Sequence, residues 1–219
     1  MFKYEKNMIP VLKEYLVKKY TKSYFINEFN SGNGIADLVY STEVEEQKRI
    51  ILDYRLIYVA LNFLNKKNKM IKIKKFYENT FLSKRKAIEL INFLLENGNL
   101  EQIDEDNVLI KGEYVAPVKN ITSIEAKLFD WKKGLCQALR YKSYSNQSYL
   151  AISKEFFHRV DLNLLKENNI GLIVVAPNEV QITLNPKIRK PSNIVAHTYL
   201  AEKFYSIIGN NLNFCVNPV

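Results

Sequence analysis

The stretch that decides the fold reads Ile124-Glu125-Ala126-Lys127 and lies past the middle of the 219-residue chain. On a β-strand successive side chains point to opposite faces, so Glu125 and Lys127 share one face and Ala126 points to the other. A carboxylate and an ammonium are costly to desolvate on an otherwise apolar strand unless something compensates them. The pattern therefore indicates a functional pair on a core strand that spans residues 120–127.

A second isolated carboxylate interrupts an earlier aliphatic stretch, Gly34-Ile35-Ala36-Asp37-Leu38-Val39. A turn signal at residues 31–34 precedes it, so Asp37 is predicted on the second strand of a hairpin. Mg²⁺ prefers carboxylate oxygens and keeps several waters. We therefore expect Asp37, Glu125 and the main-chain carbonyl of Ala126 to hold Mg²⁺, with Mn²⁺ as a substitute. Lys127 would stabilise transition-state charge, or orient and help deprotonate the attacking water.

These features occur in an order that resembles the restriction-endonuclease-like, or PD-(D/E)XK, nuclease superfamily. An N-terminal helix is followed by the hairpin with Gly34-x-x-Asp37, the Glu-x-Lys strand, and a helix with Gln137 and Tyr141 in a Gln-x-x-x-Tyr pattern. The resemblance covers residues 3–42 and 118–184. It implies an α/β fold with a mixed central sheet flanked by helices.

The resemblance also implies roles for individual residues. Gln137 would lie near the metal-bound water and Tyr141 near the phosphate backbone, so both join the catalytic set, and Arg140 would add a phosphate contact. A glutamate of the first helix would join the metal, with Glu5 the better fit and Glu14 the alternative. The family's proline before the metal aspartate is replaced by Ala36, so that part of the motif is not matched.

Positive charge is concentrated between the two halves of this pattern. From Lys66 to Leu90 nine basic residues face two acidic ones, which gives +7 of the chain's net charge of +9. Such a concentration favours a polyanionic partner, because neutralised phosphates release counterions. The predicted order of helix, helix, basic helix and hairpin is typical of a winged helix-turn-helix, whose third helix enters the major groove of DNA. The residues of this segment predicted to contact DNA are Lys72, Lys74, Lys75, Lys84, Arg85 and Lys86.

The chain is thus predicted to contain a discontinuous nuclease-like domain, residues 1–44 and 116–219, and an inserted winged-helix-like subdomain, residues 45–115. The insertion accounts for the 88 positions between Asp37 and Glu125. A domain inserted at a hairpin tip need not disturb the strands on either side. Helices are expected at residues 45–65, 71–78 and 83–97 of the insertion, with a hairpin at 99–114.

Several other classes of protein are disfavoured. Cys136 and Cys215 form no CxxC pair, and His158 and His197 each stand alone, which argues against a zinc site or a disulfide scaffold. No apolar run approaches the roughly 20 residues needed to cross a bilayer. The sequence therefore predicts a cytoplasmic protein with no membrane partner.

The function that follows is a metal-dependent nuclease that hydrolyses phosphodiester bonds in DNA, with the basic insertion aiding DNA binding. One alternative is a catalytically inactive DNA-binding protein or regulator that keeps the nuclease fold. Another is a protein-interaction module whose basic stretch faces an acidic partner. Many members of the superfamily dimerise to cut two strands, so a homodimer also stays open.

Overall fold

The computed structural model describes residues 1–32, 34–45, 49–65 and 67–212. The chain forms two compact units: unit 1 comprises residues 1–47 and 117–219, and unit 2 comprises residues 48–116. Boundaries were predicted after residues 44 and 115, and the observed ones follow residues 47 and 116. Lys66 and Cys215, both considered above, lie outside the described residues.

Both units combine helices with strands. The helices are α1 (Met8–Lys19), α2 (Tyr54–Phe63), α3 (Ile73–Thr80), α4 (Lys84–Glu96), α5 (Trp131–Tyr141), α6 (Leu162–Glu167) and α7 (Ile194–Leu212). The strands are β1 (Tyr24–Asn30), β2 (Ile35–Ser41), β3 (Glu43–Val44), β4 (Met70–Lys72), β5 (Leu100–Gln102), β6 (Asn107–Ile110), β7 (Val118–Lys119), β8 (Thr122–Lys127), β9 (Gln147–Ser153), β10 (Gly171–Ala176) and β11 (Glu179–Leu184). Short 3₁₀ helices cover Glu5–Asn7 and Lys154–Arg159.

Unit 1 is organised around a six-stranded sheet in the order β1-β2-β8-β9-β10-β11. The pairs β1–β2 and β2–β8 are antiparallel, β8–β9 and β9–β10 are parallel, and β10–β11 is antiparallel. The helix α5 connects the parallel pair β8–β9, as a parallel connection requires. The prediction of an α/β protein with a mixed central sheet and flanking helices is confirmed.

Each face of this sheet is covered by apolar side chains. On one face Leu12 of α1 packs in a cluster with Ile124 and Ala126 of β8. On the other face Leu135 of α5 packs in a second cluster with Leu150 of β9. Full burial of a leucine stabilises the fold by roughly 1.5–3 kcal/mol. Because side chains alternate along β8, Glu125 and Lys127 are left on the face that α5 covers.

Unit 2 combines α2, α3 and α4 with a three-stranded sheet in the order β4-β6-β5. Ser83 begins α4 as predicted, with its hydroxyl accepting a hydrogen bond from the Lys86 N–H at 3.4 Å. After this helix Gly98 adopts a φ of +69°, a left-handed conformation that glycine reaches without steric cost. None of the helices described anywhere in the chain is both long and apolar enough to cross a membrane.

Two predictions for unit 2 were wrong. Residues 45–65 are not one helix: the chain is extended at Asp53, whose carboxylate accepts hydrogen bonds from the N–H groups of Arg55 and Leu56 at 3.0 Å each. An N-cap of this kind defines where α2 begins. Lys72 was predicted within a helix at 71–78, but it lies on β4, because residues 70–72 pair with β6 before α3 starts.

Candidate metal centre on the central sheet

The two carboxylates predicted to bind a metal come from neighbouring strands. In the antiparallel pair β2–β8, Leu38 lies opposite Ile124, which puts Asp37 beside Glu125. The two strands are also joined here by a side chain, since Asp37 Oδ2 accepts a hydrogen bond from the Ala126 N–H at 2.8 Å. The structure thus brings Asp37, Glu125 and Ala126 together, although they are far apart in sequence.

Lys127 is the centre of a group of oxygen atoms. Its Nζ lies 2.6 Å from Glu125 Oε1, 3.2 Å from the carbonyl oxygen of Ala126 and 3.5 Å from Glu5 Oε2. Glu125 and Lys127 are 1% and 7% exposed, so this ion pair is screened from water. Three of the oxygen-bearing groups predicted to hold a metal therefore already converge on one cation, the lysine ammonium.

Tyr141 at the end of α5 is fully buried against Glu125. Its hydroxyl oxygen lies 2.6 Å from Glu125 Oε2 and 2.6 Å from the carbonyl oxygen of Ile35, and its one proton serves one of these acceptors at a time. Gly34 permits this close approach: its φ is +126°, and an added Cβ would lie 3.3 Å from Tyr141 Cε1. Tyr141 is thus a partner of Glu125, a contact that the expected role beside the phosphate backbone did not include.

Gln137 lies one helical turn before Tyr141 and three residues after Gly134, so these three residues share one face of α5. Its Oε1 atom is buried and has no hydrogen-bond partner among the described residues. A buried acceptor without a partner costs about 1–3 kcal/mol, which a water or a ligand group would recover. The role of Gln137 beside an attacking water stays a prediction.

The structure distinguishes the two candidate glutamates of the N-terminal segment. Glu5 Oε1 accepts a hydrogen bond from the Leu128 N–H at 3.3 Å, directly after the end of β8. Glu14 instead lies exposed on α1 and pairs with Lys18 at 2.6 Å. Glu5 is therefore at the centre and Glu14 is not.

Glu28 was not among the predicted site residues. It lies on β1 between Asn27 and Phe29, whose partners on β2, Leu38 and Ala36, flank Asp37. Its charge is close enough to raise the pKa of Asp37. Its φ of +47° is unusual for a residue other than glycine within a strand. If the register of the β1–β2 hairpin had been assumed from its turn, it would have indicated that Glu28 lies near Asp37.

Burial sets the protonation of the two carboxyls. It raises the pKa of Asp37, offset in part by the Ala126 N–H and the Lys127 charge, while Glu5 and Glu28 raise that pKa further. Burial also raises the pKa of Glu125, offset in part by the hydrogen bonds from Lys127 and Tyr141. Desolvation disfavours the charged form of any acid, so this is the expected direction.

Lys127 shows the opposite balance. Burial acts to lower its pKa, but the hydrogen bond and charge of Glu125, with the charges of Glu5 and Asp37, outweigh that effect and raise the pKa. The ammonium form is therefore favoured in this arrangement. Of the two predicted roles, stabilising negative charge suits a protonated Lys127 better than accepting a proton from water.

The donor set is sparse but of the right chemistry for a hard cation. Within the described ranges no group of three or more His, Cys, Asp or Glu side chains is placed to hold a metal ion. Asp37, Glu125 and the Ala126 carbonyl nevertheless form an all-oxygen set, and Mg²⁺ typically takes one or two carboxylates and keeps its waters. Binding there requires the Lys127 ammonium to move away from Glu125 Oε1.

The basic residues predicted to contact DNA are exposed. In unit 2, Lys84, Arg85 and Lys86 lie in the first turn of α4, and Lys86 Nζ lies 3.4 Å from Asp53 Oδ2. Lys74 and Lys75 lie on α3. In unit 1, Arg140 lies near the end of α5.

Comparisons with known proteins add little to this geometry. No protein-family model matches the chain, and no match was found among curated proteins. A solved structure of a protein of unknown function from Silicibacter pomeroyi aligns at 15% identity and a TM-score of 0.34, covering 54% of this chain and 81% of that one. A TM-score at this level supports no inference about fold or function.

Proposed function

We propose that the chain is a metal-dependent nuclease that hydrolyses phosphodiester bonds in DNA. The observation that carries this proposal is the convergence of Glu125, the Ala126 carbonyl and Glu5 on the Lys127 ammonium, with Asp37 beside them on the next strand. Oxygen donors gathered around one buried cation, on a face with an unpartnered Gln137 oxygen, are suited to phosphate chemistry.

The order of elements in unit 1 supports a restriction-endonuclease-like fold. The helix α1, the antiparallel run β1-β2-β8, the helix α5 and the parallel strand β9 follow one another as the resemblance implies. In unit 2 the order α2, β4, α3, α4, β5 and β6, with β4 pairing to β6, supports a winged-helix-like subdomain. Its third helix, α4, would face duplex DNA.

Each residue of the centre has a definable task. Asp37 and Glu125 would hold Mg²⁺, which when bound supplies Lewis-acid stabilisation of the phosphate and lowers the pKa of a water. Lys127 would stabilise charge developing on the phosphate oxygens. Gln137 Oε1 would accept a hydrogen bond from the attacking water and so orient it. Tyr141 orients Glu125 through the 2.6 Å hydrogen bond.

One feature favours the alternative of an inactive DNA-binding protein. Both oxygens of Glu125 are engaged, one by Lys127 and one by Tyr141, and Asp37 Oδ2 is engaged by the Ala126 N–H. A buried network whose members are paired is stable without a metal. A chain that keeps this fold for binding alone would retain such a network.

Cleavage assays separate the two functions. Supercoiled, linear duplex and single-stranded DNA are incubated with the wild type in Mg²⁺, in Mn²⁺ and in EDTA. The variants Asp37→Asn, Glu125→Gln and Lys127→Met should each lower the cleavage rate at least about 100-fold, the scale of losing a transition-state contact. The control Glu167→Gln alters an exposed carboxylate on α6 and should cut like the wild type.

Calorimetry completes the test. The wild type should bind Mg²⁺ or Mn²⁺ at millimolar concentration, and the Asp37→Asn variant should not. A wild type that shifts DNA in a gel, binds no metal and cuts no substrate would instead establish the inactive binding protein.

A further inference from the structure

Two adjoining cavities form one groove along α2, β4 and the end of α3 in unit 2. The larger has a volume of about 790 Å³ and the smaller about 330 Å³. Asn62, Phe63 and Asn79 line both, so the two cavities are neighbours. We call this feature the α2–β4 groove.

Aromatic rings border the larger end of the α2–β4 groove. Tyr54 and Tyr58 are four residues apart on α2, hence on one helix face, and are 54% and 55% exposed. Phe81 borders the same end and is 97% exposed. Tyr58 and Phe81 therefore line this end of the groove with exposed aromatic side chains.

Phe81 does not contribute to the stability of the fold, for two reasons. Its φ of +54° places a bulky residue in the left-handed region at the end of α3, where glycine is the usual residue. Its ring is also almost wholly in water, so it gains nothing from burial. A strained residue with an exposed apolar side chain is a candidate for a binding role.

Phe63 lines both ends of the groove and is held by a buried ring. Phe63 packs edge-on against Phe76 with ring centroids 4.4 Å apart. Phe76 is 2% exposed and anchors the pair in the core of unit 2.

The smaller end of the α2–β4 groove is basic. Lys69, Lys72 and Lys75 line it, and Arg55 lines the aromatic end. The described residues that line either cavity include no Asp or Glu. Exposed aromatic side chains and positive charge thus line the two adjoining ends of the α2–β4 groove.

We propose that the α2–β4 groove binds single-stranded nucleic acid, with unpaired bases stacked on Tyr58 and Phe81 and the backbone phosphates paired with Lys69, Lys72 and Lys75. In a duplex the faces of the bases are already stacked on each other, so exposed aromatic rings have no free base face to stack on. An apolar peptide would not need the lysines, and an acidic peptide would not need the rings. The inference adds a single-strand site to the duplex contact proposed for α4, and it rests on the nucleic-acid-binding role proposed for unit 2.

The test uses the full chain carrying Asp37→Asn, in EDTA, so that binding is measured without cleavage. Fluorescence anisotropy follows a labelled oligothymidylate of about 15 nucleotides, the upper length of known single-strand sites. An unlabelled duplex of equal length competes with it, and an oligouridylate of equal length tells RNA from DNA. The single strand should bind at least about ten times more tightly than the duplex.

Ring and charge variants assign that binding to the groove. Tyr58→Ala combined with Phe81→Gly should weaken binding at least about tenfold. Glycine adopts the left-handed backbone of residue 81 without strain, so Phe81→Gly should make the protein more stable. If Phe81 had only a structural role, the variant would show this gain and keep its affinity for the oligonucleotide. Lys72→Ala with Lys75→Ala should weaken binding and reduce its salt dependence. The matched controls Ile103→Ala and Lys111→Ala alter exposed residues of unit 2 outside the groove and should change affinity less than about twofold.

Three outcomes would overturn the inference: ring variants that bind like the parent, a duplex that competes as well as the single strand, or no binding of either oligonucleotide. Single-strand binding that depends on Tyr58 and Phe81, in a chain whose wild type cuts nothing, would sustain the inference while removing the nuclease proposal. Cleavage that depends on Asp37, together with oligonucleotide binding that does not depend on Tyr58 and Phe81, would support the nuclease proposal and overturn the inference about the groove.

Discussion

Gly134 of α5 lies directly against Lys127 of β8. A Cβ atom placed on Gly134 would come within 2.8 Å of Lys127 Cγ and 2.5 Å of Leu150 Cδ1, closer than real Cβ contacts come. The missing side chain lets α5 approach the sheet at this point and lets the lysine extend beneath it toward Glu125. Helix packing and the geometry of the candidate metal centre are therefore coupled through one residue.

Replacing Gly134 with alanine tests this coupling. Alanine in a helix is normally more stable than glycine by about 1 kcal/mol. Here the added methyl group collides with Lys127 and Leu150, and overpacking costs about 1–3 kcal/mol, so the variant should unfold at a lower urea concentration. The control Gly112→Ala, where an added Cβ meets nothing within 4 Å, should leave the midpoint nearly unchanged. A Gly134→Ala variant more stable than the wild type would contradict the coupling.

Tyr141→Phe should destabilise unit 1. The change removes the hydroxyl that bonds Glu125 Oε2 and the Ile35 carbonyl, leaving a buried acceptor without its donor at a cost of about 1–3 kcal/mol. Urea unfolding at neutral pH measures the loss. Tyr149→Phe is the matched control, since that hydroxyl makes only a 3.3 Å hydrogen bond to Asn185, and it should cost less. Equal costs for the two variants would show that the Glu125 hydrogen bond adds nothing.

Asp37→Asn should stabilise the fold at neutral pH. Burial raises the pKa of Asp37 above its usual value of 3.8, so between these values the folded state holds a proton that the unfolded state has lost. Stability from this group is thus full below the usual pKa and declines as pH rises through the raised one. Asparagine stays neutral and can still accept a hydrogen bond from the Ala126 N–H, so the variant should be more stable than the wild type at pH 7.

Urea unfolding as a function of pH checks this expectation. The difference between the Asp37→Asn variant and the wild type should shrink as pH falls through the raised pKa and disappear below the usual one. A variant that is less stable than the wild type at pH 7 would contradict a raised pKa for Asp37.

Removing positive charge from the start of α4 should change how duplex binding depends on salt. Each phosphate contact contributes about 0.9 to the slope of log affinity against log salt concentration. Lys86 lies 3.4 Å from Asp53, so the triple variant Lys84→Ala, Arg85→Ala, Lys86→Ala should lose a slope of about 2 rather than about 3. Titration of labelled duplex at several salt concentrations measures it. A slope equal to that of the control Lys166→Ala would mean that α4 does not contact phosphates.

Local patterns in the sequence were enough to place the central pair. The alternation of side chains along β8 predicts that Glu125 and Lys127 share a face, and their atoms lie 2.6 Å apart. The mixed sheet with flanking helices was expected from the family resemblance, whereas apolar periodicity indicated which segments form helices and which form strands. Predictions failed where pairing with a distant segment overrides local propensity. Lys72 was predicted in a helix, but it lies on a strand because it pairs with β6.

The sequence by itself thus determined that Asp37, Glu125 and Lys127 are polar residues on core strands, since a period of two is a property of any extended segment. Only the tertiary structure decided which residues surround them. Glu5 rather than Glu14 meets the end of β8, and Tyr141 reaches Glu125, because chain crossings and helix docking depend on long-range packing. The role of Gly134 was likewise decided by the tertiary structure, because its missing side chain matters only where α5 packs against Lys127.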